Sequence, residues 1–223
     1  MISSVEANGV PDFLWVPGMG LDERSSARVR SRVGGRVLSL PGMGLRTQVP
    51  AFPGLVQRLR DRPGVAPVVL VGHSQSCLLV AAAAVGDPRV VGLLLLGPTP
   101  DPRLRRFAVL AARWVRTAAH EPWWQVPLVL RQWLHTGPRA MAALWRQTVR
   151  ERLDEVLRRV GVPVVVVRGE RDALVPRDWA LRLAGCAPDG RLVELPGAAH
   201  MVVHTRPDDV ARIVRELAAE LAG

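Results

Sequence analysis

Three residues of types that combine in nucleophilic catalysis occur in the order serine, aspartate, histidine, each close behind an apolar run. Ser74 lies in the stretch GHSQS, Asp172 in RGERDALVP and His200 in LPGAAH. A serine hydroxyl is a weak nucleophile until a histidine removes its proton and an acidic group orients that histidine. This order is expected when the nucleophile sits at a sharp turn from a strand into a helix. We therefore predict that Ser74 is a nucleophile, His200 its base and Asp172 the acid.

The apolar runs predict the elements that carry these residues. Runs ending at Gly or Pro turns alternate with helical stretches, which is typical of parallel βαβ units. VVLV, VVGLLLL and VPVVVV are continuous rather than alternating, as in strands buried on both faces. We predict an α/β fold, a mostly parallel central sheet with helices on both faces, in one domain of residues 1–223. The predicted strands are 13–16, 36–40, 67–71, 90–96, 163–167 and 191–195, and the predicted helices are 47–61, 75–86, 177–185 and 207–222.

About 60 residues, from about 101 to 160, interrupt this alternation with a stretch that has no strand pattern. The insert holds five of the seven tryptophans, and twelve arginines against five acidic residues. An apolar, aromatic and basic helical insert in an α/β sheet indicates a cap or lid over a pocket. We predict that Trp114, Trp123, Trp124 and Trp133 bind substrate there.

Composition excludes several classes of protein. With 223 residues, 48% of them hydrophobic, the chain is long enough for one sizeable core. The net charge is +10, but all 30 basic residues are arginine; this one-sided usage indicates a GC-rich genome rather than nucleic-acid binding. Cys77 and Cys186 are too few for a disulfide framework and lack metal-site spacing, and Cys77 is predicted to be a core residue.

The start of the chain has no signal pattern and no segment has the length of a membrane span, so we predict a cytoplasmic protein.

Two PGMG segments, at residues 17–20 and 41–44, each follow a predicted strand. Glycine-rich turns at the carboxyl ends of parallel strands are where ligands tend to bind. Neither segment has the spacing of a phosphate-binding or dinucleotide-binding loop. We therefore predict no cofactor, and the sequence offers no set of residues for a metal ion.

From about residue 12 to residue 220 the chain resembles the α/β-hydrolase superfamily. GHSQS resembles its nucleophile elbow, G-x-x-D-x-x-V-P its acid loop, and G-x-x-H its histidine loop. The segment at 17–20 lies where that family has its oxyanion loop, and the segment at 41–44 is similar to a turn after the next strand. The resemblance implies that Ser74 attacks a carbonyl carbon, while the backbone N–H groups of Met19 and Gln75 form the oxyanion hole.

The resemblance leaves some assignments open. In some members of the family the acid follows an earlier strand, a place that Asp101 occupies here; Asp172 is preferred because Asp101 precedes a proline and begins the insert. His204 is interpreted as an exposed or supporting neighbour of the candidate base. His120 and His135 are interpreted as surface residues of the insert.

Two residues depart from the family's pattern. Pro17 stands where the family has a histidine in the oxyanion loop, although the backbone N–H of Met19 remains. Ser76 replaces the last glycine of the elbow, which in the family lets the helix approach the strand closely. Both departures raise the question of whether this elbow serves hydrolysis or a rarer reaction.

The function predicted is that of a serine hydrolase or acyl-transfer enzyme acting on an ester, thioester or lactone through an acyl-Ser74 intermediate. The tryptophans indicate a bulky apolar or aromatic substrate. The positive insert suggests an anionic substrate, a coenzyme A thioester or an acyl carrier protein as partner. The alternative is a non-hydrolytic enzyme of the same fold, such as a lyase, a cyclase or a cofactor-free haloperoxidase, or a carbon–carbon bond hydrolase. A monomer and a homodimer both remain open.

Overall fold

The structure is a computed structural model that describes residues 11–62, 64 and 67–223. Its strands are β1 (Asp12–Val16), β2 (Arg36–Val37), β3 (Leu40–Pro41), β4 (Gly44–Leu45), β5 (Val68–His73), β6 (Val90–Leu96), β7 (Val164–Gly169) and β8 (Gly190–Leu195). Six of them form one sheet in the order β2-β1-β5-β6-β7-β8, and every neighbouring pair is parallel. The carboxyl ends of all six strands therefore meet at one edge of the sheet.

Helices cover both faces of this sheet. They are α1 (Ala27–Val33), α2 (Phe52–Arg60), α3 (Ser76–Ala84), α4 (Phe107–Ala118), α5 (Val126–Thr136), α6 (Pro138–Thr148), α7 (Leu153–Leu157), α8 (Arg177–Cys186), α9 (Val202–Thr205) and α10 (Pro207–Ala222). Buried side chains of α2, α3, α7 and α8 form a core with one face of the sheet, and those of α1, α9 and α10 form a second core with the other. The predicted α/β fold class is confirmed.

The continuous apolar runs are explained by these two cores. Along β5, Leu70 packs into the first core while Val69 and Val71 pack into the second, and all three are fully buried. Because successive side chains of a strand point to opposite faces, a strand covered on both sides needs an apolar residue at every position.

The predictions for the second strand and the first long helix were too long. Of the predicted strand 36–40, Arg36 and Val37 form β2, and the Leu38 N–H adds a hydrogen bond to the Trp15 carbonyl of β1 at 2.9 Å. The chain then leaves the sheet for the β3–β4 turn around Gly42. The predicted helix 47–61 begins only at Phe52. Pro53 stands in its first turn, where a missing backbone N–H costs nothing, and a proline within a longer helix would break it.

The chain between β6 and β7 is helical and corresponds to the predicted insert. It contains α4, α5, α6 and α7 with short 3-10 turns at Pro102–Arg105 and Trp123–Gln125; we refer to residues 101–157 as the cap. In the described residues, no helix is both long enough and apolar enough to cross a membrane.

Gly169 brings the loops after β7 and β8 together. A Cβ at this position would lie against the backbone carbonyl oxygens of Ala198 and Ala199. The loop that carries His200 can therefore pack against the end of β7, where the loop that carries Asp172 begins, only because residue 169 has no side chain.

We expect Gly169→Ala to lower the free energy of unfolding by about 1–3 kcal/mol, because the added methyl group must displace backbone. Gly185→Ala is the matched control: it lies in α8, and its Cβ would meet no atom within 4 Å. This control should raise the free energy of unfolding by about 0.5–1 kcal/mol, since alanine favours a helix. Denaturant unfolding of both variants and the wild type measures the difference, and equal effects would contradict the close approach.

Candidate active site

Ser74 sits at the turn between β5 and α3 in a strained backbone conformation. Its φ is +56°, the only positive φ of a non-glycine residue among those described. Side chains rarely adopt this region unless the surroundings enforce it. Here the Ser74 N–H donates to the carbonyl of Leu96 on β6 at 2.8 Å. A Cβ at Gly72 would come within 2.8 Å of the Cα of Cys77, so this glycine permits α3 to pack directly on the strand.

Ser76 occupies the position of the missing glycine without forcing the elbow apart. The residue is fully buried, and its hydroxyl accepts from the His73 N–H at 2.8 Å. The same oxygen lies 2.7 Å from the carbonyl oxygen of Val16 and 2.9 Å from that of His73, and it can donate to either. The Val16 carbonyl ends β1, directly before Pro17. The serine hydroxyl thereby links the elbow to the start of the PGMG loop at 17–20.

The structure brings Ser74, His200 and Asp172 into one chain of hydrogen bonds. The His200 Nε2 atom lies 2.9 Å from the Ser74 Oγ atom, and its Nδ1 atom lies 2.7 Å from Asp172 Oδ2. The other carboxylate oxygen of Asp172 accepts from the backbone N–H groups of Leu174 and Val175 at 2.9 and 3.2 Å. A carboxylate only accepts, so Nδ1 carries the proton and Nε2 presents its lone pair to the serine hydroxyl.

The environment of His200 makes it a stronger base than a free imidazole. Burial lowers its pKa, but the negative charge of Asp172 and the hydrogen bond to that carboxylate raise it more, and the charge of Glu121 adds to the rise. The net result is a pKa above the ordinary value for histidine. Asp172 itself is almost completely buried, so its charge acts on the imidazole with little screening by water.

His73 is a neutral residue that forms a hydrogen bond with the backbone of the histidine loop. Its Nε2 atom lies 3.3 Å from the carbonyl oxygen of His200, which can only accept, so this nitrogen carries the hydrogen. Burial, and next the charge of His200, lower the pKa of His73 to about 3. The ring is therefore a fixed hydrogen-bond donor and not a second base.

Asp101, the alternative acid, interacts with arginines at the beginning of the cap. Its carboxylate forms ion pairs with Arg103 at 2.8 Å and Arg113 at 2.9 Å, and it caps the 3-10 turn by accepting from the Arg103 N–H. Its side chain is thus occupied by arginines of the cap, whereas that of Asp172 contacts the imidazole.

Met19 and Gln75 line the same cavity as Ser74 and His200. Within the described residues, neither of their backbone N–H groups donates a hydrogen bond. Gln75 stands at the amino end of α3, where the unpaired N–H groups of the first turn favour negative charge. Pro17 leaves this arrangement intact, because the loop is held through the backbone: the Gly20 N–H donates to the Gly42 carbonyl at 2.8 Å.

A cavity of about 290 Å³ lies between this group of residues and the cap, and its lining is mostly apolar. Trp114 and Trp133, two of the residues predicted to bind substrate, line it, and their rings contact each other with centroids 6.1 Å apart. Val126 and Leu130 are lining residues that also reach solvent, as is Trp114. The cavity therefore opens between α4 and α5.

The prediction that Trp123 and Trp124 bind substrate is not supported by their positions. Trp123 points into solvent with 83% of its surface exposed. Trp124 packs on His204, with ring centroids 5.2 Å apart, and the guanidinium of Arg28 lies over its ring. Both residues lie in the 3-10 turn before α5, outside the cavity lining. His204 is accordingly buried rather than exposed.

Sequence reasoning missed several residues that contact the site. Glu121 accepts from the Met201 N–H at 2.7 Å and so touches the histidine loop. It is the only acidic residue between positions 102 and 150, and that isolation was a usable signal. Thr99 lies with its hydroxyl 3.5 Å from Ser74 Oγ, and Trp145 lines the cavity. No local pattern distinguishes these last two residues from structural ones.

In the part of the chain that the structure describes, no group of three or more His, Cys, Asp and Glu side chains could hold a metal ion. The groups that the site presents are the Ser74 hydroxyl, the His200 imidazole and the backbone N–H groups of Met19 and Gln75. The arrangement can therefore activate a hydroxyl, accept its proton and stabilise an oxyanion beside an apolar cavity.

Comparison with known proteins identifies a family for the chain. Residues 13–213 match the model of the alpha/beta hydrolase family. The chain has no match among the curated proteins. Among solved structures, a hydrolase from Oleispira antarctica has a TM-score of 0.75 and 13% identity, covering 94% of this chain and 91% of its own.

Two further structures are similar at the same level. The enol-lactonase from Burkholderia xenovorans LB400 has a TM-score of 0.74 and 19% identity, covering 94% of this chain and 92% of its own. A thermophilic esterase from Thermogutta terrifontis has a TM-score of 0.70 and 20% identity, covering 96% and 91%. Such low identities show a shared fold alone.

Proposed function

The chain belongs to the alpha/beta hydrolase family, and from that membership we propose that it is a serine hydrolase or acyl-transfer enzyme. It cleaves an ester, thioester or lactone through an acyl intermediate on Ser74. The observation that carries this proposal is the continuous contact from Asp172 through His200 to Ser74, at 2.7 and 2.9 Å, at the edge of an apolar cavity.

Acylation begins at the serine hydroxyl. The Ser74 Oγ atom attacks the carbonyl carbon of the substrate while its proton passes to His200 Nε2. The carbonyl oxygen becomes an oxyanion that accepts hydrogen bonds from the N–H groups of Met19 and Gln75. The imidazolium, stabilised by Asp172, then gives its proton to the leaving alcohol or thiol, and the acyl group remains on Ser74.

Deacylation repeats the same steps with water or another acceptor alcohol. His200 removes a proton from the acceptor, whose oxygen attacks the acyl carbon, and the second oxyanion occupies the same position. When it collapses, the bond to Ser74 Oγ breaks and His200 returns the proton to that oxygen. A carboxylic acid leaves if the acceptor is water, and a new ester leaves if it is an alcohol.

The cavity supports a bulky apolar or aromatic substrate. Leu104, Leu110 and Leu174 line it together with the three tryptophans Trp114, Trp133 and Trp145. A volume of about 290 Å³ accommodates far more than an acetyl group. Two of the similar structures are described as an enol-lactonase and a thermophilic esterase, which is in keeping with cleavage of a carboxylic ester bond.

The positive charge of the cap favours a substrate with an anionic group on the part that stays outside the cavity. The cap has arginines at exposed positions on the helices around the opening, among them Arg116 on α4 and Arg131 on α5. A coenzyme A thioester or an acyl carrier protein would supply such negative charge.

We expect a fluorophosphonate probe to label the wild type and to leave Ser74→Ala unlabelled, because only an activated serine attacks the phosphorus. Ser31→Ala is the control, since its hydroxyl is exposed to solvent on α1, where it donates to the Arg28 carbonyl; it should retain labelling. In-gel detection and peptide mass spectrometry identify the site. A wild type that is not labelled and hydrolyses neither oxygen esters nor thioesters contradicts the proposal and favours the non-hydrolytic alternative.

The pH dependence of kcat/KM tests the base. Because the pKa of His200 is raised and the reaction needs its neutral form, activity should fall as the pH decreases through a value above that of free histidine. Asp172→Asn removes the charge that raises this pKa, so the acidic limb should move to lower pH and kcat should fall by about 10⁴-fold. Glu121→Gln should move it the same way by less, and Glu155→Gln, exposed in the cap, should not move it. An unchanged limb in Asp172→Asn argues against His200 as the base.

Two exposed tryptophans of the cap provide a matched test of the substrate site. Trp114 is 47% exposed and lines the cavity, whereas Trp123 is 83% exposed and does not. Trp114→Ala should raise KM by about tenfold for esters of bulky aromatic acids, through lost apolar contact, and leave acetyl esters unaffected. Trp123→Ala should leave both unchanged. Equal effects of the two substitutions would show that bulky groups do not enter this cavity.

A further inference from the structure

Three polar side chains of the cap are buried completely, although polar groups normally avoid such positions. Gln132 and Thr136 lie on α5 and Thr148 ends α6, and all three have no exposed surface. Burying a polar group is costly unless it forms hydrogen bonds. Each of the three bonds to one of the two segments that carry the proposed oxyanion donors.

The first donor segment is the loop containing Met19. Thr136 Oγ1 donates to the carbonyl oxygen of Gly20 at 3.2 Å, and the Asp22 N–H donates to Gln132 Oε1 at 2.9 Å. These two bonds fix α5 to the loop on the carboxyl side of Met19. One turn of α5 therefore holds this loop, in addition to the hydrogen bond from the Gly20 N–H to the Gly42 carbonyl.

The second donor segment is the elbow itself, held through the side chain of Gln75. The Gln75 Nε2 atom donates to Thr148 Oγ1 at 2.6 Å, and Thr148 donates in turn to the carbonyl of Leu144 at 2.8 Å. The Gln75 Oε1 atom accepts from the Thr99 hydroxyl at 3.0 Å. The side chain of Gln75 therefore bonds both to Thr99, in the loop after β6, and to Thr148, in the last turn of α6. The backbone N–H of Gln75 is the second proposed donor.

Steric contacts fix the cap against both PGMG turns. A Cβ at Gly20 would come within 2.8 Å of the Trp133 ring, and one at Gly42 within 2.9 Å of the Leu144 Cβ. Both glycines have φ near +80°, a conformation that other residues rarely adopt. At Gly20 and Gly42 the two turns therefore contact α5 and α6 with no intervening side chain of their own. These contacts add to the hydrogen bonds of Gln132, Thr136 and Thr148.

We propose that Gln132, Thr136 and Thr148 are positioning residues that set the distance between the two oxyanion donors, so that the cap is part of the catalytic apparatus. The inference rests on the proposed function. Donors must lie within about 3 Å of the oxyanion, and a displacement of about 1 Å at such a site costs on the order of 100-fold in rate. None of the three cap residues lines the cavity; they act on the two donors through Gly20, Asp22 and the side chain of Gln75.

Removal of one hydroxyl at constant shape tests this role. We expect Thr136→Val and Thr148→Val each to lower kcat about 10- to 100-fold with KM changed less than threefold. The affinity for a trifluoromethyl ketone, which adds to the serine as an oxyanion, should fall by the same factor as kcat/KM. Thr136→Ser and Thr148→Ser keep the hydroxyl and should restore most of the rate.

Stability is separated from positioning by a second pair of variants. Ile213→Val, fully buried in α10 on the other face of the sheet, should lower the thermal midpoint and leave kcat unchanged. Gln132→Met removes the acceptor of the Asp22 N–H at nearly constant volume, and it should give the same kinetic signature even if a valine variant does not fold.

The outcomes distinguish this inference from the function on which it rests. Folded variants of Gln132, Thr136 and Thr148 that keep the wild-type kcat and ketone affinity overturn the positioning role and leave the hydrolase proposal intact. The same holds if rates fall as much in Ile213→Val as in the threonine variants. A wild type that neither hydrolyses esters nor binds the ketone overturns the proposed function, and the positioning role with it.

Discussion

The hydrogen bonds of His200 to Asp172 and to Ser74 hold the candidate site together. They join three loops that are far apart in the chain, the turns after β5, β7 and β8. A parallel sheet delivers all three to one edge, because its strands end on the same side. Bringing them within 3 Å then requires Gly169 between two loops and Gly72 beneath α3, where any side chain would separate the backbones.

Both the sheet and the cap stabilise the strained backbone of Ser74 and the histidine loop. The sheet supplies the Leu96 carbonyl that holds Ser74 at positive φ and the neutral His73 that holds the histidine loop. The cap supplies Glu121, whose carboxylate binds the Met201 N–H, and it covers the site with apolar side chains. Excluding water strengthens each of these electrostatic contacts. The cap and the sheet therefore act on the same few atoms.

The parts of this arrangement that rest on local pattern could be predicted from the sequence. Continuous apolar runs identified β5, β6 and β7, and the motifs around Ser74, Asp172 and His200 pointed to the residues that the structure brings together. The departure at Ser76 could not be interpreted from sequence, because its effect depends on the Val16 carbonyl, sixty positions away.

The cap is where local pattern failed, for a physical reason. The four tryptophans predicted to bind substrate look alike in sequence. Trp133 on α5 lies in the cavity lining, whereas the 3-10 turn leaves Trp123 in solvent. Thr136 and Thr148 have no signature at all, since their partners belong to loops more than seventy residues away. Contacts of this kind follow from packing between distant segments, which periodicity does not encode.

The transfer of an acyl group through Ser74 can be tested with an activated carbamate ester that carries an apolar group, because carbamoyl-serine hydrolyses slowly enough to isolate. Wild-type protein would be treated with this reagent, digested and measured by mass spectrometry. We expect one added carbamoyl group, on the peptide containing Ser74, with loss of esterase activity in proportion. Loss of activity with the group on another residue, or continued ester turnover with Ser74 replaced by alanine, would contradict an acyl-Ser74 intermediate.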